Sequence, residues 1–293
     1  MQTILPRGTR PAIPFDKPPF PPGLLAGEVA LVTGGGSGMG LGMARGLAQA
    51  GARIAILGRS PERAADGVAA IRAIGGDAVA VPGDVRDPAA VAHAFDLAEH
   101  ALGPVSILAN NAGGNFAVLA DAMSANAWRA VTRIAIDGTF LCSTEFARRR
   151  VARGQPGAIV NNSAQYVWSG FPGDAHSAAA KAAIVTMTTA LAREWKAYGI
   201  RVNCVAAGFF PHAGSPEGSD PEALRKLGEM IPAGRVGEMQ EFGWAAAFLC
   251  SPLAGRITGE TLVIDGTERL RRSLLSPAFV PPRERKAIWG DLP

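Results

Sequence analysis

The chain has 293 residues, 48% of them apolar and 18% charged, with 29 Lys and Arg against 25 Asp and Glu. An apolar share of that size at a formal net charge of +4 excludes intrinsic disorder for most of the length and fills at least one large core. No apolar run of about 20 residues exists to span a bilayer, and no block of consecutive Lys and Arg with interleaved aromatics marks a nucleic-acid site.

In chain order, residues 1–26 carry seven prolines and read as an extended arm. The first ten, MQTILPRGTR, have no compact apolar stretch before a small-residue cleavage site, so no secretory leader is expected. From Glu28, short β-rich runs alternate with helical patterns. VALVT precedes a helix from about Gly38, RIAIL one from Pro61, and AVAVPGDV one from Pro88. SILANNAG leads into a long helical stretch through Arg150, and AIVNNS into a helix through Trp195. RVNCVAAG and TLVID supply the last two strands. The strands are unbroken apolar runs, as expected of parallel strands buried on both faces. The pattern predicts an α/β, Rossmann-type doubly wound sheet of about seven parallel strands, one domain over residues 27–267. Residues 268–293 read as a tail that packs on the surface or on a partner subunit, or whose arginines meet phosphates. Cys142, Cys204 and Cys250 form no CxxC pair, which fits a reducing compartment. The expectation is a cytoplasmic protein, with an organelle matrix left open. No His, Cys or Asp cluster has metal-ligand spacing, so no catalytic metal is expected.

The first strand runs into TGGGSGMG, Thr33 to Gly40. Gly34 permits a tight turn, Gly38 lets the backbone approach a pyrophosphate, and Gly40 allows close helix packing. The helix N-terminus then offers free N–H groups to phosphate. The second strand ends in Gly58, Arg59 and Ser60, where an acidic residue would select NAD. A guanidinium suits a 2′-phosphate, so NADP(H) is favoured. The alternative is an Arg on the solvated start of the next helix. Asp84 is placed either to meet the adenine edge or to begin a helix.

TGGGSGMG, NNAG at Asn110 to Gly113, and Ser177-x-x-x-Lys181 together resemble the short-chain dehydrogenase/reductase family over roughly residues 27–267. The resemblance implies a cofactor site that takes in Gly34, Ser37, Gly38, Met39, Arg59, Ser60, Asp84, Val85, Asn111, Ala112, Gly113, Lys181 and Gly208. It also implies a homotetramer built by pairing of the long helices. Common members place a Tyr four residues before the Lys and a Ser thirteen before that Tyr, positions that here hold Ser177 and Ala164. The family's Asn in the long helix appears as Ala135. Tyr166, eleven residues before Ser177, lies at a strand end instead. That arrangement, with Gly114-Asn115-Phe116 after the NNAG motif, resembles the 2,4-dienoyl-CoA reductase branch.

The resemblance implies NADPH-dependent reduction of an unsaturated acyl-CoA, 2,4-dienoyl-CoA to 3-enoyl-CoA. Tyr166 and Asn115 would donate to the thioester oxygen of a dienolate. Lys181 would hold the nicotinamide ribose and lower the Tyr pKa, and Ser177 would orient a partner in the network. A trans-2-enoyl-CoA reductase, a carbonyl reductase or alcohol dehydrogenase on a non-CoA substrate, and a silent NADP-binding sensor or scaffold remain open. The segment FFPHAGSPEGSD is the expected lid. Asp137 and His176 are further candidates, although a lone His at a helix start reads more often as a surface or capping group. Tyr198, at a helix end, reads as structural.

Overall fold

Alternate residues of the strand Val29–Thr33 (β1) enter two different cores, which is why the run carries no polar interruption. Ala30 and Val32 pack with Ile54, Ile56, Leu47 and Phe242 on one face of the sheet. Val29 and Leu31 pack with Leu57, Phe95, Phe146 and Trp195 on the other. The computed structural model describes residues 17–212 and 220–270. Most of the proline-rich arm, residues 213–219 of the expected lid and the tail from residue 271 lie outside the described residues.

β1 is followed by Gly38–Gln49 (α1), Arg53–Gly58 (β2), Pro61–Arg72 (α2), Ala78–Pro82 (β3), Pro88–Leu102 (α3) and Ile107–Asn110 (β4). Next come Ala125–Thr132 (α4), Gly138–Ala152 (α5), Gly157–Ala164 (β5), Ala175–Trp195 (α6) and Ile200–Ala207 (β6). Pro221–Met230 (α7), Met239–Cys250 (α8) and Thr261–Ile264 (β7) complete the domain. All pairings are parallel, in the order β3-β2-β1-β4-β5-β6-β7. Leu31 of β1 sits beside Ala55 of β2 and Leu108 of β4. The chain reverses its direction of strand addition between β1 and β4. In such sheets the crevice beyond the strand ends at that point receives ligands.

The helix starts follow from local chemistry. Pro61 and Pro88 occupy first-turn positions where no N–H is needed. Ser60 accepts from Arg63 N (3.2 Å) and Asp87 accepts from Ala89 N (2.9 Å), which satisfies N–H groups the helices cannot.

The helical stretch through Arg150 continues without a break from α4 through a π turn over Arg133–Asp137 into α5. Two expectations are corrected. The helices α7 and α8 lie between β6 and β7, where the sequence suggested only a lid. The edge strands β3 and β7 are only partly buried, because each has a sheet neighbour on one side alone. α1 and α8 cross backbone to backbone: a Cβ on Gly46 would stand 2.3 Å from the Gly243 carbonyl, and one on Gly243 would stand 2.2 Å from Gly42 O.

Candidate active site

A cavity of about 860 Å³ opens along the C-terminal ends of β1, β4, β5 and β6. Its floor near β1 is the glycine loop. Gly34 (φ 65°) and Gly38 (φ 49°) occupy the left-handed region, and a Cβ on Gly40 would lie 2.2 Å from Gly34 O. Ser37 is the N-cap of α1, yet its side chain makes no capping hydrogen bond. The hydroxyl and the first-turn N–H groups are therefore available to an anion in the cavity, which Gly38 and Met39 also line. The loop is clipped to the turn after β4. Thr33 Oγ1 accepts from the N–H groups of Asn111 and Ala112, both at 2.9 Å, and Asn111 Nδ2 donates to Thr33 O at 3.3 Å. Gly113 follows on the same wall.

Toward β2, Arg59 is exposed at the strand end and forms no ion pair among the described residues. Ser60 already caps α2 and donates to Glu62 (2.8 Å), so its hydroxyl is engaged. Asp84 is held by Arg86 through both carboxylate oxygens, the shortest contact being 2.6 Å. That guanidinium keeps the Asp84 carboxyl below its usual range. Val85 is buried against Gly138, where a Cβ would come within 2.6 Å of its side chain. Gly208 hangs from β7 by its N–H to Ile264 O (3.1 Å), with the Glu268 carboxylate packed so close that a Cβ would stand 2.7 Å from it. The empty glycine positions, the uncommitted Ser37 hydroxyl and the unpaired Arg59 fit a dinucleotide laid across the strand ends.

Tyr166, Ser177, Lys181 and Asn115 all line this cavity. Tyr166 sits in a short turn after β5, and its hydroxyl lies 2.9 Å from Ser177 Oγ on the first turn of α6. One turn further along α6, Lys181 Nζ donates to Asn162 O (2.8 Å). Burial depresses the Lys181 amine to about 8 and raises the Tyr166 phenol above its usual value, with the Ser177 bond pulling the other way. The nearby Asp174 charge adds to the rise. Asn115 is exposed on the cavity wall and has no hydrogen-bond partner among the described residues.

The other candidates fall elsewhere. Tyr198 is exposed outside the cavity, and Asp137 faces Arg133 at 3.8 Å. His176 is no surface group: it is fully buried. Sequence reasoning passed over Arg63 and His212, which line the cavity, the latter with its ring against Gly38. It also passed over the polar core beneath: Asn110 Nδ2 donates to Ser143 Oγ and Asn161 Oδ1, and Asn161 Nδ2 donates to Thr188 Oγ1, all at 2.9 Å. Alternation could have found these, because Asn110 and Asn161 interrupt otherwise apolar strands.

A family model described as enoyl-(acyl carrier protein) reductase matches residues 34–266. The probable 2,4-dienoyl-CoA reductase [(2E)-enoyl-CoA-producing] of Bacillus subtilis is 36% identical over 246 residues, 83% of this chain and 97% of its own. The galactitol 2-dehydrogenase (L-tagatose-forming) of Cereibacter sphaeroides is 41% identical over 247 residues, 83% and 95% of the two chains. Among solved structures, a gluconate 5-dehydrogenase from Burkholderia cenocepacia in complex with NADP and tartrate superposes with a TM-score of 0.76 at 36% identity. It covers 84% of this chain and 97% of that one.

Proposed function

The chain belongs to the short-chain dehydrogenase/reductase family of oxidoreductases, and within it we propose an NADPH-dependent reductase of an unsaturated acyl-CoA, with 2,4-dienoyl-CoA as the first substrate to test. The observation that carries this reading is the Tyr166–Ser177 pair at 2.9 Å, with Asn115 on the wall of the same cavity. Ser177 and Ala164 occupy the places where common members carry their Tyr and Ser. The donor here comes from the strand end.

The chemistry follows from where charge develops. A bound reduced nicotinamide supplies a hydride, accepted at the far end of the conjugated system. Negative charge then moves to the thioester oxygen. Tyr166 and Asn115 meet it with two neutral donors, which stabilise an oxyanion without prior reorganisation. Burial keeps the phenol protonated at neutral pH, as a donor must be. Ser177 fixes the direction of that hydroxyl, and Lys181, anchored on Asn162 O, holds the ribose. Protonation beside the thioester carbonyl leaves a 3-enoyl product. Protonation two carbons further along leaves the 2-enoyl product named for the Bacillus relative. Arg59, with Arg63 nearby on the wall, supports selection of the 2′-phosphate. Trp128 on α4 and Phe140 on α5 are exposed, which supports pairing of these helices between subunits of a homotetramer.

The 41% identity to a galactitol dehydrogenase supports a second reading, oxidoreduction at a carbonyl or alcohol of a non-CoA substrate. One panel separates the readings: NADPH consumption with 2,4-dienoyl-CoA, 2-enoyl-CoA, 3-oxoacyl-CoA and keto sugars, with product analysis. Turnover of the dienoyl thioester alone is the expected result. Reduction of the 2-enoyl thioester moves the assignment to an enoyl reductase, and turnover confined to keto sugars moves it to carbonyl chemistry. NADPH binding with no turnover identifies a silent binder.

A further inference from the structure

His176 stands in the first turn of α6, next to Ser177, with none of its surface exposed. Its Nδ1 accepts the Ser177 backbone N–H at 2.8 Å, which places the ring proton on Nε2. Nε2 is buried and has no nitrogen or oxygen partner among the described residues. A buried donor in that state needs a compensating contact. The ring of Phe116 stands perpendicular to the imidazole, with centroids 5.0 Å apart and planes at 90°, an aromatic contact that is favourable beyond the area it buries.

The placement of this ring pair gives it a further consequence. Phe116 directly follows Asn115, and His176 directly precedes Ser177, which bonds Tyr166. The pair therefore ties the loop carrying one proposed oxyanion donor to the helix that orients the other. That loop needs a tie. Gly113 and Gly114 lead into it, a Cβ on Gly114 would meet nothing within 4 Å, and its next backbone anchor is Val118 N–H to Gly173 O (2.9 Å).

We propose that His176 is a positioning residue: its edge-to-face contact with Phe116 holds Asn115 at a fixed separation from the Tyr166–Ser177 pair. This rests on the assignment of Asn115 as an oxyanion donor. The bond to the Ser177 N–H is there with or without Asn115, so it is the part of the His176 effect running through Phe116 that depends on the Asn115 amide.

A double-mutant cycle tests it, with kcat and KM for the best thioester of the panel, NADPH affinity and thermal midpoint measured for each variant. His176→Leu fills the site without the polar edge and is expected to lower kcat about tenfold, leaving NADPH affinity near wild type. On an Asn115→Ala background the same change is expected to lower kcat by less than about threefold, the remainder coming from the lost bond to the Ser177 N–H. An equal loss in both backgrounds, or no loss in either, overturns the proposal. Phe116→Leu removes the ring face from a half-exposed position and must give the same dependence on Asn115, which keeps the test decisive if His176→Leu fails to fold. If Asn115→Ala alone leaves turnover intact, the oxyanion assignment falls and this proposal falls with it. Additivity after a real Asn115→Ala loss removes this proposal alone.

Discussion

The hydroxyl of Tyr166, just beyond the end of β5, lies 2.9 Å from the hydroxyl of Ser177 on α6, eleven residues later in the chain. The helix thus presents a partner, and the strand end presents the donor. Tyr166→Phe removes the donor while keeping the ring, and is expected to lower kcat on the dienoyl thioester by about 10²–10³-fold, the loss typical of one oxyanion donor. NADPH affinity, read by fluorescence titration, should stay within about twofold. Ser177→Ala should lose less, because it only frees the phenol to rotate.

Arg59 is exposed and forms no ion pair among the described residues that it would give up on binding a phosphate. Arg59→Ala is expected to weaken NADPH by roughly 10–100-fold, since charge-assisted hydrogen bonds are worth about 1.5–3 kcal/mol. NADH, which lacks the 2′-phosphate, should bind the variant and the wild type alike. Parallel titrations with the two nucleotides check this, and equal weakening of both would remove the assignment.

Lys181 carries its charge only below about pH 8, because burial favours the neutral amine. NADPH affinity is therefore expected to fall as pH rises through about 8, and Lys181→Met should be weaker at neutral pH and flat across that range. The stability linkage has the opposite sense. The folded value lies below the ordinary 10.5, so the unfolded chain binds more protons between about 8 and 10.5. The contribution of Lys181 to stability should rise across that window and vanish in Lys181→Met, as read from urea midpoints at several pH values.

Thr267 is the single non-glycine residue with positive φ (69°) among the described residues. A left-handed backbone costs a β-branched residue about 1–2 kcal/mol, partly offset in glycine by the larger entropy of its unfolded chain. Thr267→Gly is expected to raise the melting midpoint by about 2 °C. A lower midpoint would mean that the Thr267 side chain holds more than the turn costs.

Much of this architecture is readable from residue pattern. The run VALVT is β1 to the residue, Pro61 and Pro88 open α2 and α3, and Trp195 ends α6. These succeed because burial on both faces and proline at a helix start are local demands. α8 was missed because MQEFGWAAAFLC is apolar nearly all round, as a helix pinned between a sheet and α1 must be. The π turn at Arg133–Asp137 leaves the apolar pattern intact and shifts only hydrogen bonds. At the site, the family resemblance pointed to Tyr166, Ser177, Lys181 and Asn115, which line one cavity, whereas engagement stayed hidden. Asp84 looks free in the sequence, yet Arg86 occupies both of its oxygens. His176 looks like a surface group because the contacts that bury it, the ring of Phe116 sixty residues earlier among them, are remote in sequence.

The glycine crossing of α1 and α8 sets a timetable as well as a shape. The loop that would take the phosphates is made early, and the helix that seats its α1 support against the sheet is made about 200 residues later. At roughly 5–20 residues per second, the nascent chain waits on the order of 10–40 s between the two. During that interval α1 exposes the bare stripe at Gly42 and Gly46 to whatever else is nearby.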